Sequence, residues 1–203
     1  MRLGILGGTF DPVHYGHLVL AECCREQCRL ERVLFLPAAM PPHKTAYEVT
    51  AAADRVEMLK LAIGGHPDFD VSTYEVDRGG INYTFETLEA LAGQQPGAEL
   101  FFLLGSDSLN DLPHWREPGR ICQLATLAVA RRPGVEPNWN ALRGLVSAER
   151  LSDFRRHETT MPEIGISSSD LRQRVAEGRS IRYQTPRAVE KYIETRGLYR
   201  KSP

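Results

Sequence analysis

The 203-residue chain predicts an α/β domain, an open, mostly parallel sheet with helices on both faces. Three observations predict it. Short apolar runs suited to buried strands alternate with longer stretches whose apolar residues recur at helical spacing. One run, Leu100-Phe101-Phe102-Leu103-Leu104, is continuously apolar, as a strand covered on both faces must be. The turns after Leu6, Leu36, Leu104 and Ala130 carry the polar and glycine-rich sequence, at the strand ends where such sheets hold ligands.

Taken in order, Leu3-Gly4-Ile5-Leu6 reads as a buried strand, followed by a glycine-rich turn and a helix over 18–30, with Leu20, Ala21, Cys24 and Cys28 on one face. A second strand over 32–37 is closed by Pro37, and a proline-containing loop covers 38–50. A helix over 51–63 stops at Gly64-Gly65. Residues 69–76 alternate like a strand, and Asp77-Arg78-Gly79-Gly80 turns the chain into a helix with Thr84 as its cap. The strand over 99–104 gives way to Gly105-Ser106-Asp107, a short helical region spans 113–123, and 126–130 is a buried strand stopped by Arg131-Arg132-Pro133-Gly134. Residues 135–149 are polar with a helical middle, and 151–154 reads as a last, edge strand. Ser167 and Asp170 are spaced like a capping box, and Thr185-Pro186 opens the final helix, threonine capping and proline in the first turn. There is no internal repeat, so 1–203 reads as one domain.

Apolar content of 42% and charged content of 25% are those of a soluble globular protein, and a net charge of −1 gives no global pull toward nucleic acid or membrane. Between Arg172 and Lys201 nine Lys/Arg face three Glu; this basic stretch is either a solvated face or a contribution to holding anions. No leader precedes the first strand, and no apolar run approaches the roughly 20 residues that span a bilayer, so a cytoplasmic location is expected. Cys23, Cys24, Cys28 and Cys122 form no Cys-x-x-Cys framework and suit a reduced compartment.

The chemistry concentrates in Gly7-Gly8-Thr9-Phe10-Asp11-Pro12-Val13-His14-Tyr15-Gly16-His17-Leu18. Strand, glycine-rich turn and helix start together make an anion cradle, because glycine lets backbone N–H groups lie against a phosphate and the helix adds its unpaired donors. His14 and His17, three apart at the helix entrance, face the same space. Two other readings stand beside this one: a tight turn with two hydrogen-bonded histidines, or half of a metal site. The segment resembles the signature of the nucleotidylyltransferase superfamily, Gly-x-Phe-Asp-x-x-His-x-Gly-His, and within it the bacterial nicotinate mononucleotide adenylyltransferases.

That resemblance implies a Rossmann-like nucleotidylyltransferase fold, with the C-terminal part, about 165–203, completing an ATP site. It implies ATP-binding roles for Gly7, Gly8, Thr9, Phe10, His14, His17, Lys44, Gly105, Asp107, Arg132, Ser167, Ser168 and Arg172. Pro41-Pro42-His43-Lys44 resembles the family loop whose lysine contacts the triphosphate, although Ala38-Ala39-Met40 is more apolar than expected. Ile166-Ser167-Ser168-Ser169-Asp170-Leu171-Arg172 resembles the Ile-Ser-Ser/Thr-x-x-Arg half of the signature, which serves the β- and γ-phosphates. Gly105-Ser106-Asp107-Ser108-Leu109 resembles Gly-Ala-Asp-Ser-Leu, with Asp107 near ribose or phosphate. Trp115 and the Tyr83-Thr84 segment would hold a nicotinate base; from composition alone Trp115 reads as a partly buried core residue. Arg132 either flanks the nucleotide or lies in solvent.

The implied reaction is attack by the 5′-phosphate of nicotinate mononucleotide on the α-phosphorus of ATP. His14, His17, Lys44 and Arg172 would be the catalytic donors and Mg²⁺ would bridge the ATP phosphates, with no protein metal site. Other acceptors (nicotinamide mononucleotide or phosphopantetheine), a tRNA synthetase fragment and a non-catalytic nucleotide sensor are the rival readings. Oligomeric state is left open.

Overall fold

A computed structural model describes residues 1–40, 49–131 and 134–200. The elements in order are β1 (Arg2–Gly8), α1 (Tyr15–Gln27), β2 (Arg32–Pro37), α2 (Ala52–Ile63), β3 (Phe69–Val71), α3 (Tyr74–Arg78), α4 (Thr84–Gln94), β4 (Glu99–Gly105), α5 (Ser106–Asp111), α6 (Pro118–Leu124), β5 (Thr126–Arg131), α7 (Ala148–Arg156), β6 (Glu158–Thr160), α8 (Ser168–Ala176) and α9 (Arg187–Arg196). The six strands form one sheet in the order β3-β2-β1-β4-β5-β6. Pairings of β1 with β4, β4 with β5, and β5 with β6 are parallel, Ile5 opposite Phe102 and Gly105 opposite Ala130. The expected α/β class and Rossmann-like architecture are what the chain adopts. In this order the chain runs outward from β1 to β3 and returns to β4 on the other side of β1, so the switch point lies between β1 and β4, and the segments that follow those two strands border it.

Contacts divide the chain into two compact units. One comprises 1–6, 19–34 and 82–163, and the other 7–18, 35–81 and 164–203. In the first, Leu3, Ile5, Phe101, Leu103, Leu127 and Val129 are buried, as continuous apolar strands require. Cys24, Cys28 and Cys122 belong to this core. Burial pushes the Cys24 thiol up to about 12 and those of Cys28 and Cys122 up to about 11. In the second unit α2 and α9 pack together, and Tyr192 and Arg196 both bond the Asp54 carboxylate, at 2.7 and 3.2 Å. Among the described residues no helix is long and apolar enough to cross a membrane.

Four local expectations are corrected. The strand expected over 69–76 stops at Val71, because Thr73 accepts the Asp77 N–H and donates its hydroxyl to the Asp77 carboxylate, closing a helical turn. Residues 151–154 are helical, not an edge strand. Ser147 caps α7 by accepting from Arg150 N at 3.1 Å, and Leu151 and Phe154 share a face. The edge strand is β6. Thr84 is the first residue of α4 rather than its cap, a position taken by Tyr83 without a side-chain bond. Pro186, not Thr185, stands at the start of α9, because the Thr185 hydroxyl is used elsewhere.

Candidate functional site

The second unit contains the histidine turn. β1 runs out through Gly7-Gly8, and the chain then bends through Phe10, which holds a left-handed backbone (φ 50°) and is buried. A side chain at position 8 could not coexist with that ring, since its Cβ would lie 2.9 Å from Phe10 Cζ. Phe10 packs against Phe35 and, edge-on, against His17 at 5.0 Å. His14 is buried and stacks on His17, centroids 3.8 Å apart at 25°. Gly16 makes room for this stack, because a Cβ there would approach the His14 ring to 3.0 Å.

His14 stands at the start of α1, where its carbonyl accepts from His17 N at 2.9 Å and its own N–H donates to His17 Nδ1 at 3.3 Å. This is one half of a capping box, with the His17 ring in the place usually held by glutamate, while the return bond is backbone to backbone. A ring nitrogen that accepts cannot carry a proton, so the neutral His17 ring carries its proton on Nε2 as a donor.

The carbonyls of this turn are engaged by protein donors. Gly8 O accepts from Ala38 N (2.9 Å), Thr9 O from Arg55 Nη1 (2.9 Å), Asp11 O from Arg172 Nη1 (2.7 Å), Pro12 O from Ser168 Oγ (2.9 Å) and Val13 O from Thr185 Oγ1 (2.8 Å). Tyr15 N donates to Gln184 O at 3.1 Å. With these carbonyls held by protein donors, the repulsion they would exert on an anion at the turn is reduced.

Arg55, although almost fully buried, also donates to Thr50 O (2.9 Å) and Ala39 O (3.1 Å), so one guanidinium joins the turn to both sides of the segment carrying Lys44. Lys44 itself and Arg132 lie outside the described residues. The Asp11 carboxylate is buried, with Oδ1 accepting from Tyr199 Oη at 2.6 Å and Oδ2 from Thr50 N at 3.3 Å. Ser167 Oγ caps α8 through Asp170 N at 3.1 Å, half of the expected box, and lies 3.1 Å from Ser169 Oγ. The hydroxyls of Ser167 and Ser168 thus have protein partners, and the α8 start offers backbone N–H groups. His14, His17, Ser168 and Arg172 are brought together, because α8 bonds directly to the backbone of the turn.

The first unit contains the other predicted residues. Ser106, where the family pattern has alanine, fits by burying its hydroxyl 3.4 Å from Ala130 O. Asp107 is exposed in the first turn of α5, and Gly105 rather than Asp107 occupies the capping position. Trp115 is half-buried; its Nε1–H donates to Asp111 at 3.0 Å and its ring meets Phe102 edge-on at 6.0 Å. Tyr83 is exposed, lies nearly parallel to Phe85, and has the Arg116 guanidinium 5.5 Å above its ring. Arg116, the neighbour of Trp115, therefore joins the two segments expected to take the acceptor base.

Sequence reasoning missed Asp11, Arg55, Tyr199 and Arg116, and read Thr185 only as a helix cap. Only Asp11 lay within a motif. Among the described residues no group of three His, Cys, Asp or Glu is arranged to hold a metal ion.

The cytidylyltransferase-like family model matches residues 5–174, a span that includes both the histidine turn and Arg172. A probable nicotinate-nucleotide adenylyltransferase of Thermomicrobium roseum is 51% identical over 98% of this chain and 92% of its own. One from Roseiflexus sp. is 49% identical over 98% of both. The solved Plasmodium falciparum nicotinic acid mononucleotide adenylyltransferase complexed with NaAD aligns with a TM-score of 0.78 over 98% of this chain and 97% of that one, at 18% identity, a likeness of fold.

Proposed function

The chain belongs to the cytidylyltransferase-like family, and on that footing we propose that it transfers the adenylyl group of ATP to nicotinate mononucleotide, giving deamido-NAD and pyrophosphate. The observation that carries this reading is the pair of bonds from Ser168 and Arg172 to Pro12 and Asp11, which set the α8 start and the histidine turn side by side. Adenylyl transfer by direct attack needs no protein nucleophile. It needs alignment and neutralisation of charge.

The His17 Nε2–H donates to the α-phosphate as charge builds there. Arg172, Lys44 and the N–H groups of the turn and the α8 start hold the β- and γ-phosphates. His14 keeps His17 in register. The donors of this cradle are N–H groups and a guanidinium, and both oxygens of its buried carboxylate are engaged, so these residues fit an anion and would not themselves hold Mg²⁺, which would be held by ATP. Such an ion would supply charge neutralisation to the phosphates. Trp115 stacks on the nicotinate ring, and Tyr83 with Thr84 completes the base site. Gly105, Asp107 and Arg132 serve the nucleotide. A cytoplasmic location belongs to this reading, supported by cysteines without disulfide partners and by ATP as co-substrate.

Pyrophosphate release measured with nicotinate mononucleotide, nicotinamide mononucleotide and phosphopantetheine tests the assignment. The acid mononucleotide should give the highest kcat/KM. A preference for phosphopantetheine would replace it with a different acceptor, and ATP binding without turnover would make the protein a sensor.

A further inference from the structure

Helix α9 ends at Gly197 in a left-handed conformation (φ 65°), with Gly197 N bonded to Glu194 O and Leu198 N to Ile193 O. This reversal, continued by Tyr199 at φ 64°, turns the chain back so that the Tyr199 hydroxyl reaches the buried Asp11 carboxylate. Asp11 is thereby held at three atoms: its carbonyl by Arg172, Oδ1 by Tyr199 and Oδ2 by Thr50 N. A carboxylate buried inside a phosphate-binding turn is a hazard. It repels the substrate and competes with it for the guanidinium.

We propose that Tyr199 is a positioning residue that occupies the Asp11 carboxylate and so reserves Arg172 for the triphosphate. The inference rests on the adenylyl-transfer reading above. Arg172 already lies 2.7 Å from the Asp11 carbonyl. Removing the tyrosine hydroxyl releases Oδ1, and a carboxylate oxygen is a stronger acceptor for a guanidinium than the carbonyl of the same residue that now holds it. The resulting ion pair withdraws Arg172 from ATP. Burial, and then the adjacent Asp11 charge, push the Tyr199 hydroxyl well above its ordinary range, so it remains a donor throughout an assay between about pH 6 and 9.

The test is Tyr199→Phe, which deletes one oxygen, followed by Asp11→Asn in the same chain. ATP binding by calorimetry and the KM values of both substrates are measured alongside melting temperature. Tyr199→Phe should raise Kd and KM for ATP about tenfold, independent of pH, and leave the mononucleotide KM within about twofold. Adding Asp11→Asn should restore most of the ATP affinity, because the competing charge is gone. A purely structural anchor predicts the opposite, a double variant worse than the single one. Unchanged ATP affinity in Tyr199→Phe, or no recovery in the double variant, overturns the proposal. Should Tyr199→Phe fold poorly, Tyr199→Gln provides the second arm: with a donor for Oδ1 retained, the ATP Kd should stay within about twofold, and a tenfold rise at unchanged melting temperature refutes the proposal. Wild-type protein that binds ATP but releases no pyrophosphate would defeat the functional reading, while calorimetry would still decide the role of Tyr199.

Discussion

The two units handle their functional groups in opposite ways. In the unit with the histidine turn, His14, Asp11 and Arg55 are buried and the backbone is tied down by Arg55, Ser168, Arg172 and Thr185. In the unit with Trp115, the corresponding groups lie at the surface: Asp107 and Tyr83 are exposed, and Arg116 rests on an aromatic face. The chemistry shared by every nucleotidyl transfer, positioning a triphosphate, tolerates no looseness, because a misplacement of about 1 Å can cost a hundredfold in rate. Choosing an acceptor depends on stacking and rim contacts, which side chains on a rigid frame can supply without being buried.

Substitutions in the two units should therefore fail differently. The largest effect is expected of His17→Ala. Loss of the donor to the α-phosphate should lower kcat by about 10²–10³, with the fold intact by circular dichroism. Turnover near wild type would remove His17 from the chemistry. Next, Trp115→Ala should raise the mononucleotide KM about tenfold, the worth of one stacked base, while the ATP KM stays put. An equal rise in both would erase the contrast between the units. Arg116→Ala should cost about threefold in the mononucleotide KM, since only one face of the Tyr83 contact is lost. Smallest in rate but visible in denaturant unfolding, Thr185→Val should cost about 1–2 kcal/mol, as Val13 O loses a buried donor. Unchanged stability would show that the bond contributes nothing.

The fold and the histidine turn were legible because their signals are local. Continuous apolar strands, glycines where a Cβ would clash, and serine at a helix start each act within a few residues. The role of the C-terminal part was legible only in outline. Ser168 and Arg172 could be connected with phosphate, but their bonds to Pro12 and Asp11 join residues 156 and 161 positions apart, a separation no local pattern encodes. Thr185 illustrates the limit. Threonine before proline reads as a cap, and the folded chain takes the same hydroxyl to Val13 instead. Leu151 and Phe154 mislead for another reason, since two apolar residues at the ends of a four-residue stretch do not separate strand from helix, which the Ser147 cap decides.

The ties across the histidine turn have a temporal meaning. The turn is synthesised well before Ser168, Arg172, Thr185 and Tyr199, the most distant pair being 188 positions apart. Nascent protein with every strand of its sheet synthesised still lacks the residues that shape the phosphate turn. Completion of the turn thus waits on residues made after the whole sheet, and until then its carbonyls lack the donors that hold them.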